Sequence, residues 1–266
     1  MAHPKEILSQ LEAIPLKSLS QNFLISPHWA EKMVESFLSE NSYDEVWEIG
    51  PGLGALTRLL VQKTKKKIRL FEIDKKLSVY LEEQFPEVPL HQGNFLNQNW
   101  NEWIAPPQKV AILSNLPYHL SSPMIFKMVE HKNVLSHFLF TFQKEFADRL
   151  TAKPNSKEYG SLTLITELHF SLKNLGTLPP GAFYPAPSVA SQAVLFTPKP
   201  DSPGLEKTSA VIRAAFSHRR KKMASNLKAV FPEVPWERCL EELGISPQVR
   251  AEALTLSQFD LLSNKI

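Results

Sequence analysis

The stretch Val46-Trp47-Glu48-Ile49-Gly50-Pro51-Gly52-Leu53-Gly54-Ala55-Leu56-Thr57 constrains the fold more than any other part of the chain. A short apolar run stops at a burst of glycines, and an apolar-periodic helix pattern follows. That order is the first strand, tight turn and first helix of a nucleotide-binding α/β unit. Glycine is needed where a bound nucleoside approaches the backbone closely, because it lacks a Cβ and tolerates positive φ. The turn alone does not choose its ligand. Gly50, Gly52 and Ala55 also satisfy the dinucleotide spacing, which keeps an NAD-dependent reductase open.

The pattern downstream alternates strand and helix. Strands are expected over 46–49, 68–74, 88–91, 110–114 and 137–142, with 162–170 and 192–196 as two more, antiparallel at the sheet edge. Helices are expected over 27–38 behind an N-cap at Ser26, from the glycine turn to about 62, over 75–84 behind Asp74, over 122–130 and over 143–152. This is an α/β, Rossmann-like domain with a mostly parallel seven-stranded sheet, whose ligand site lies at the carboxyl ends of the strands. The proline-rich segment 198–204 reads as a linker, and beyond it 205–216, 219–230, 235–243, 247–253 and 255–263 read as helices only. The expected division is therefore 1–200 for the catalytic domain, with 1–20 as a flexible arm, and 204–266 for a small all-α C-terminal domain. The length of 266 residues suits one large domain plus a small one.

Composition narrows the class by exclusion. A single cysteine, Cys239, rules out an intrachain disulfide and fits a reducing compartment. Residues 1–20 lack the continuous apolar core of a signal peptide, and no apolar stretch reaches the ~20 residues a membrane span requires. The expectation is a cytoplasmic protein that makes no membrane contact. A formal net charge of +3 is too small to announce a nucleic-acid binder, so the placement of charge must carry that case. The lysine run 63–67 reads as a solvated turn.

Four residues narrow the chemistry. Asn115-Leu116-Pro117-Tyr118 falls just past the buried strand 110–114, on the edge that carries the glycine turn, Glu72 and Asn94. The exocyclic amine of adenine is a poor nucleophile because its lone pair is delocalised into the ring. Two acceptors gripping the amine hydrogens would favour a pyramidal nitrogen with its lone pair aimed at a methyl donor. The Asn115 side-chain oxygen and the Leu116 carbonyl can supply them. Pro117 holds Leu116 extended and fixes its own φ, which aims that carbonyl. Tyr118 offers a face on which a flipped-out base can stack. Glu72 lies about twenty residues beyond the glycines, where such folds place a carboxylate for the ribose hydroxyls. A reductase has no use for this amide-plus-aromatic grip.

Further motifs accompany these: Gln21-Asn22-Phe23-Leu24, Glu72-Ile73-Asp74, Gln143-Lys144-Glu145, Tyr159-Gly160-Ser161-Leu162, Phe183-Tyr184-Pro185-Ala186-Pro187 and Phe216-Ser217-His218-Arg219-Arg220-Lys221. With them the chain resembles the small-subunit ribosomal RNA adenine dimethyltransferase family from Gln21 to the C-terminus. The resemblance implies S-adenosylmethionine as methyl donor, no metal, and the N6 atoms of two adjacent adenosines as acceptors. It also implies that Asn22, Leu24 and Gly50 hold the methionine part of the donor, Glu72 its ribose and Asn94 its adenine. Asn115 then sits between donor and target base, and Tyr118 and Phe183 sandwich that base. From its residue type alone Phe183 reads as a core aromatic.

Three departures from the family pattern stand out. Asn94 replaces the usual acid, Ser188 and Ala190 replace the usual Lys and Asp, and Leu16–Ser20 is less basic and less aromatic than expected. Arg219, Arg220, Lys221 and Lys222, with Lys228 and with Arg213 and His218 as extensions, read as an RNA-phosphate patch opening a helix of the small domain. The leading expectation is dimethylation of two adjacent adenosines in the 3′-terminal hairpin loop of 16S rRNA, within the immature 30S subunit, by a monomer. The alternatives are a large-subunit rRNA adenine methyltransferase of the macrolide-resistance type, and an RNA-binding assembly factor whose catalysis is secondary.

Overall fold

The structure, a computed structural model, describes residues 4–12, 21–40 and 42–266. Much of the arm expected over 1–20, including Leu16–Ser20, lies outside the described residues. Among those described, the chain gathers into two compact units. One takes the residues up to Phe146 together with Leu172–Pro198, and the other takes Ala147–Ser171 and Lys199–Ile266.

Strands β2 (Glu45–Ile49), β3 (Lys67–Glu72), β4 (Leu90–Gln92), β5 (Val110–Ser114), β6 (Leu135–Gln143), β7 (Phe170–Leu178) and β9 (Ser191–Pro198) form one seven-stranded sheet in the order β4-β3-β2-β5-β6-β9-β7. The pairs β2–β3, β2–β5, β3–β4 and β5–β6 are parallel, and β9 runs antiparallel to β6. Central strands β2 and β5 are buried along their whole length; β5 is accordingly apolar up to its terminal Ser114, whereas β2 carries Glu45 and Glu48 into the interior. One face of β2 presents Trp47 to Phe71 and Trp100, with ring centroids 5.2 and 5.0 Å away. The other face presents Val46 to a core containing Phe37 and Leu60. These last two come from helices α2 (Pro27–Leu38) and α3 (Ala55–Lys63). Helix α4 (Lys75–Gln84) starts at Asp74, whose carboxylate accepts the Lys76 and Leu77 amides, and α5 (Ser121–Glu130) follows β5. Helix α1 (Pro4–Gln10) lays Ile7 and Leu8 against Phe23, Leu53 and Leu77. A two-stranded ladder, β1 (Phe23–Leu24) with β8 (Phe183–Tyr184), is antiparallel and pairs Leu24 with Phe183.

The second unit is helical: α7 (Ser161–His169), α8 (Leu205–Ala215), α9 (Met223–Val230), α10 (Trp236–Glu242) and α11 (Leu256–Ser263), with α6 (Lys144–Leu150) running into it. Tyr159 is 2% exposed and donates its hydroxyl to the Leu254 carbonyl at 2.7 Å, while the Asn155 amide reaches the Glu252 carbonyl at 2.9 Å. These bonds group 147–171 with the C-terminal helices, whereas the sequence reading placed that segment in the 1–200 domain.

Three sequence expectations change here. The strand expected over 162–170 is helix α7, and the edge strand is β7, which follows it. A short apolar run rich in β-branched residues does not tell a buried helix from a strand. Here Thr163 decides: its hydroxyl takes the Gly160 amide and donates to the Arg149 carbonyl, closing the first turn. The helix expected over 219–230 begins only at Met223, so Arg219–Lys222 is a connecting loop. Four cations in a first helical turn would face the positive end of the helix dipole. The stretch 247–253 keeps only a single 3-10 turn, Ala251–Ala253.

Candidate functional site

Gly50, Gly52 and Gly54 have φ of +63°, +58° and +79°, a conformation that only glycine adopts without strain. A Cβ on Gly54 would lie 2.7 Å from Phe85 Cε2, and one on Gly52 3.0 Å from Phe23 Cδ1. A Cβ on Gly50 would meet nothing within 4 Å, because Gly50 faces a cavity. The Gly50 amide donates to the Phe71 carbonyl at 2.8 Å, hooking the turn onto the end of β3. The cavity holds about 470 Å³ at the carboxyl ends of β2, β3 and β5, a size ordinary for a small-molecule site.

Asn22, Leu24, Gly50, Glu72, Asn94 and Asn115 all line this cavity, and so do Leu116, Pro117 and Tyr118. Glu72 is 4% exposed, and its carboxylate is held by three backbone amides: Ile73 and Asp74 on Oε1 at 2.8 and 3.0 Å, and Gly52 on Oε2 at 3.2 Å. Burial pushes its carboxyl above the usual range, and those amides pull the other way. The Asn94 side-chain oxygen accepts the Leu96 amide at 3.0 Å, which leaves its second lone pair for a ligand.

Glu48 is a cavity residue to which the sequence reading gave no role, although it stands inside the opening motif. It is 2% exposed, and its Oε2 finds no hydrogen-bond partner. Burial, with the Glu72 charge adding to it and Thr57 offsetting part, pushes its carboxyl up to about 8.

Asn115 is gripped at both ends of its amide. Nδ2 donates to the Asn22 carbonyl at 2.8 Å, and Oδ1 accepts the Thr141 hydroxyl at 2.6 Å. Tyr118 hydrogen-bonds through its hydroxyl to Ser191 Oγ at 2.7 Å, and burial raises its phenol. Both partners, Thr141 and Ser191, are fully buried on strands β6 and β9. Neither carries a motif, since a β-branched or small polar residue inside a strand looks like packing.

Phe183 is not on the cavity wall. It is 3% exposed and packs in the core beside Leu24, Leu178 and Ala182, because the β1–β8 ladder turns it inward. Its residue-level reading as a core aromatic describes where its ring lies. In the second unit Arg219 binds Glu252 Oε2 at 3.1 Å and the Lys157 carbonyl at 2.6 Å. Arg220, Lys221 and Lys222 are exposed. Among the described residues no group of three or more His, Cys, Asp or Glu side chains is placed to hold a metal ion, and no helix is long and apolar enough to cross a membrane.

Residues 16–266 match the family described as ribosomal RNA adenine dimethylase. The chain is 36% identical over 98% of its length to ribosomal RNA small subunit methyltransferase A of Borreliella burgdorferi strain ZS7, 92% of which is covered. It is 35% identical over 94% of its length to the protein of the same name from Bacillus cytotoxicus, of which 90% is covered. Among solved structures, a dimethyladenosine transferase from Plasmodium falciparum superposes with a TM-score of 0.73 at 24% identity, covering 91% of this chain and 96% of that one. The 23S rRNA methyltransferase ErmE superposes with a TM-score of 0.68 at 21% identity, covering 92% and 99%. These two likenesses establish the fold: a Rossmann-like methyltransferase sheet with helices C-terminal to it.

Proposed function

The chain belongs to the ribosomal RNA adenine dimethylase family, and we propose that it dimethylates the N6 amines of two adjacent adenosines in the 3′-terminal hairpin loop of 16S rRNA, using S-adenosylmethionine, during maturation of the 30S subunit. The observation that carries this reading is the Asn115 amide, pinned at the rim of the cavity with one Oδ1 lone pair left to offer. The small-subunit name of the curated relatives favours 16S over 23S rRNA.

The cavity fits the methyl donor on its own terms. An unpartnered buried carboxyl oxygen at Glu48 calls for a cation or a hydrogen-bond donor, and Gly50 leaves open space for a ligand to approach the backbone. When bound, S-adenosylmethionine supplies an electrophilic methyl group on a positively charged sulfur. Asn22, Leu24, Gly50 and Glu48 would hold its methionine end, Glu72 its ribose hydroxyls and Asn94 its adenine. The Asn115 Oδ1 and Leu116 carbonyl accept the target amine hydrogens and turn the nitrogen lone pair toward the donor. Tyr118, its ring set by Ser191, stacks on the flipped base. No strong base is required, because the amine becomes acidic once alkylated. The catalysis is positioning and electrostatics.

The exposed cations Arg220, Lys221 and Lys222 supply phosphate contacts from a helical C-terminal RNA-binding domain over 204–266. Arg219 contributes to them while bracing that loop. We take the protein to act as a cytoplasmic monomer on an assembled particle, since a net charge of +3 suits docking on a preformed RNA surface better than capture of naked RNA. The test is methyl incorporation into undermethylated 30S particles, 50S particles and naked 16S rRNA. Two methyl groups on each of two adjacent adenosines in 30S alone supports the proposal. Incorporation into 50S instead would replace it with the large-subunit reading, and particle binding without transfer would replace it with the assembly-factor reading.

A further inference from the structure

We propose that Thr141 is a positioning residue for methyl transfer: its buried hydroxyl locks the Asn115 amide so that a single lone pair is presented to the target amine. The inference rests on the reading of Asn115 as an acceptor for the adenine N6 hydrogens.

The geometry assigns each valence of that amide. An asparagine side chain offers two donors at nitrogen and two acceptor lone pairs at oxygen. The Asn22 carbonyl can only accept, so the nitrogen must face it, and the observed 2.8 Å contact fixes which way round the amide lies. The opposite end is then an oxygen 2.6 Å from Thr141 Oγ1, which must donate. One lone pair and one N–H remain.

The platform behind this is rigid. Thr141 is fully buried in β6, where it pairs with Ala193 of β9, and Ser114, the residue before Asn115, donates its hydroxyl to the Ile49 carbonyl at 2.6 Å. The end of β5 is therefore tied to β2, while the Asn115 side chain is tied to β6. Without the hydroxyl, the Asn22 carbonyl alone would hold the amide, and rotation about χ2 would spread the direction of the acceptor.

That spread matters unequally for the two methylations of one adenosine. An unmethylated amine has two hydrogens, and the Asn115 oxygen and Leu116 carbonyl can take one each. After the first transfer one hydrogen remains, so one acceptor loses its partner and the nitrogen is aimed by a single hydrogen bond. The second transfer thus depends more heavily on a fixed acceptor than the first.

The experiment uses the full-length enzyme, undermethylated 30S particles and S-adenosylmethionine. It compares Thr141→Val, which keeps the shape and removes the donor, with Thr141→Ser, which keeps the donor, and with Asn115→Ala. For T141V we expect kcat to fall roughly tenfold with KM for the particle unchanged, the size of one lost hydrogen bond, and N6-monomethyladenosine to accumulate. T141S should restore both the rate and the dimethyl product. Should T141V fail to fold, Thr141→Ala carries the same expectation. Wild-type kcat and product ratio in T141V, with N115A inactive, overturns the role of Thr141 and leaves that of Asn115 standing. Equal loss in T141V and T141S, with lowered melting temperatures, reduces Thr141 to a packing residue and also overturns it. An active N115A removes the reading on which the inference rests.

Discussion

Glu48 and Phe183 are about equally buried, yet only Glu48 borders the cavity, while Phe183 lies in the apolar core. Glu48 sits in the cavity as a carboxyl raised to about 8, whereas an exposed glutamate ionises several pH units lower. Between those two pH values the folded protein keeps the carboxyl neutral while the unfolded chain ionises. Stability of the ligand-free protein should therefore fall as pH rises from 5 to 8, by up to about 1.4 kcal/mol per unit. Urea unfolding across that range should show the slope in the wild type and its loss in Glu48→Gln. The same variant should bind S-adenosylmethionine about tenfold more weakly, and in the wild type binding should release a proton at pH 7, seen as a buffer-dependent heat in calorimetry. For Phe183, buried at 3%, replacement by Ala should cost about 3 kcal/mol or more through the cavity it leaves. Tyr118→Ala, half-exposed at the rim, should instead lose turnover with little change in melting temperature. An F183A protein that melts normally but no longer stacks the base would return Phe183 to the sandwich.

At the scale of elements, the ends of helices and strands do most of the placing. The Asp74 carboxylate caps α4 through Lys76 and Leu77 and also accepts Gln21 Nε2 at 3.2 Å, joining the segment before β1 to the end of β3. Asp74→Ala should cost about 1 kcal/mol by loss of the cap, measured by denaturant titration, and should weaken donor binding because Gln21 and Glu72 both border the cavity. The basic loop ahead of α9 behaves differently. Arg219 braces the loop on Glu252 and the Lys157 carbonyl, so Arg219→Ala should loosen the helical unit as well as weaken particle binding, whereas Arg220, Lys221 and Lys222 are exposed. Replacing these three with Ala should weaken particle binding and reduce the slope of log K against log salt by about one for each phosphate no longer neutralised. An unchanged slope would move the RNA-binding surface elsewhere.

For the whole molecule, the discontinuous second unit has a practical consequence. A chain ending at Pro200 keeps every strand of the sheet but strips 147–171 of its partners Leu254, Glu252 and Arg219. It should bind hydrophobic dye and melt lower than the full chain, even though the linker composition of 198–204 suggests a clean cut. A truncated chain that melts cooperatively at the full-length temperature would show that 147–171 needs no C-terminal support.

Periodicity and end signals were enough for most of the architecture. The run ahead of the glycines, the Asp74 cap and the Pro27–Leu38 helix stand where the sequence predicts them, because each rests on local chemistry within a few residues. The glycine turn, Glu72 and Asn115–Tyr118 on the cavity wall were legible for the same reason, as short motifs at strand ends, whereas Glu48 was not. Three things waited for the tertiary structure. Helix α7 over an apolar stretch that reads equally as a strand was decided by the caps it found and the helices it packs against. The inward turn of Phe183 was decided by a two-residue ladder to Leu24, a partner far away in the chain. The grip of Thr141 on Asn115 joins residues 26 apart, one on β6 and the other just past the end of the neighbouring strand β5. Local free-energy preferences are written in adjacent residues, whereas which side chains meet across the sheet depends on strand order and register, and these exist only once the chain has closed on itself.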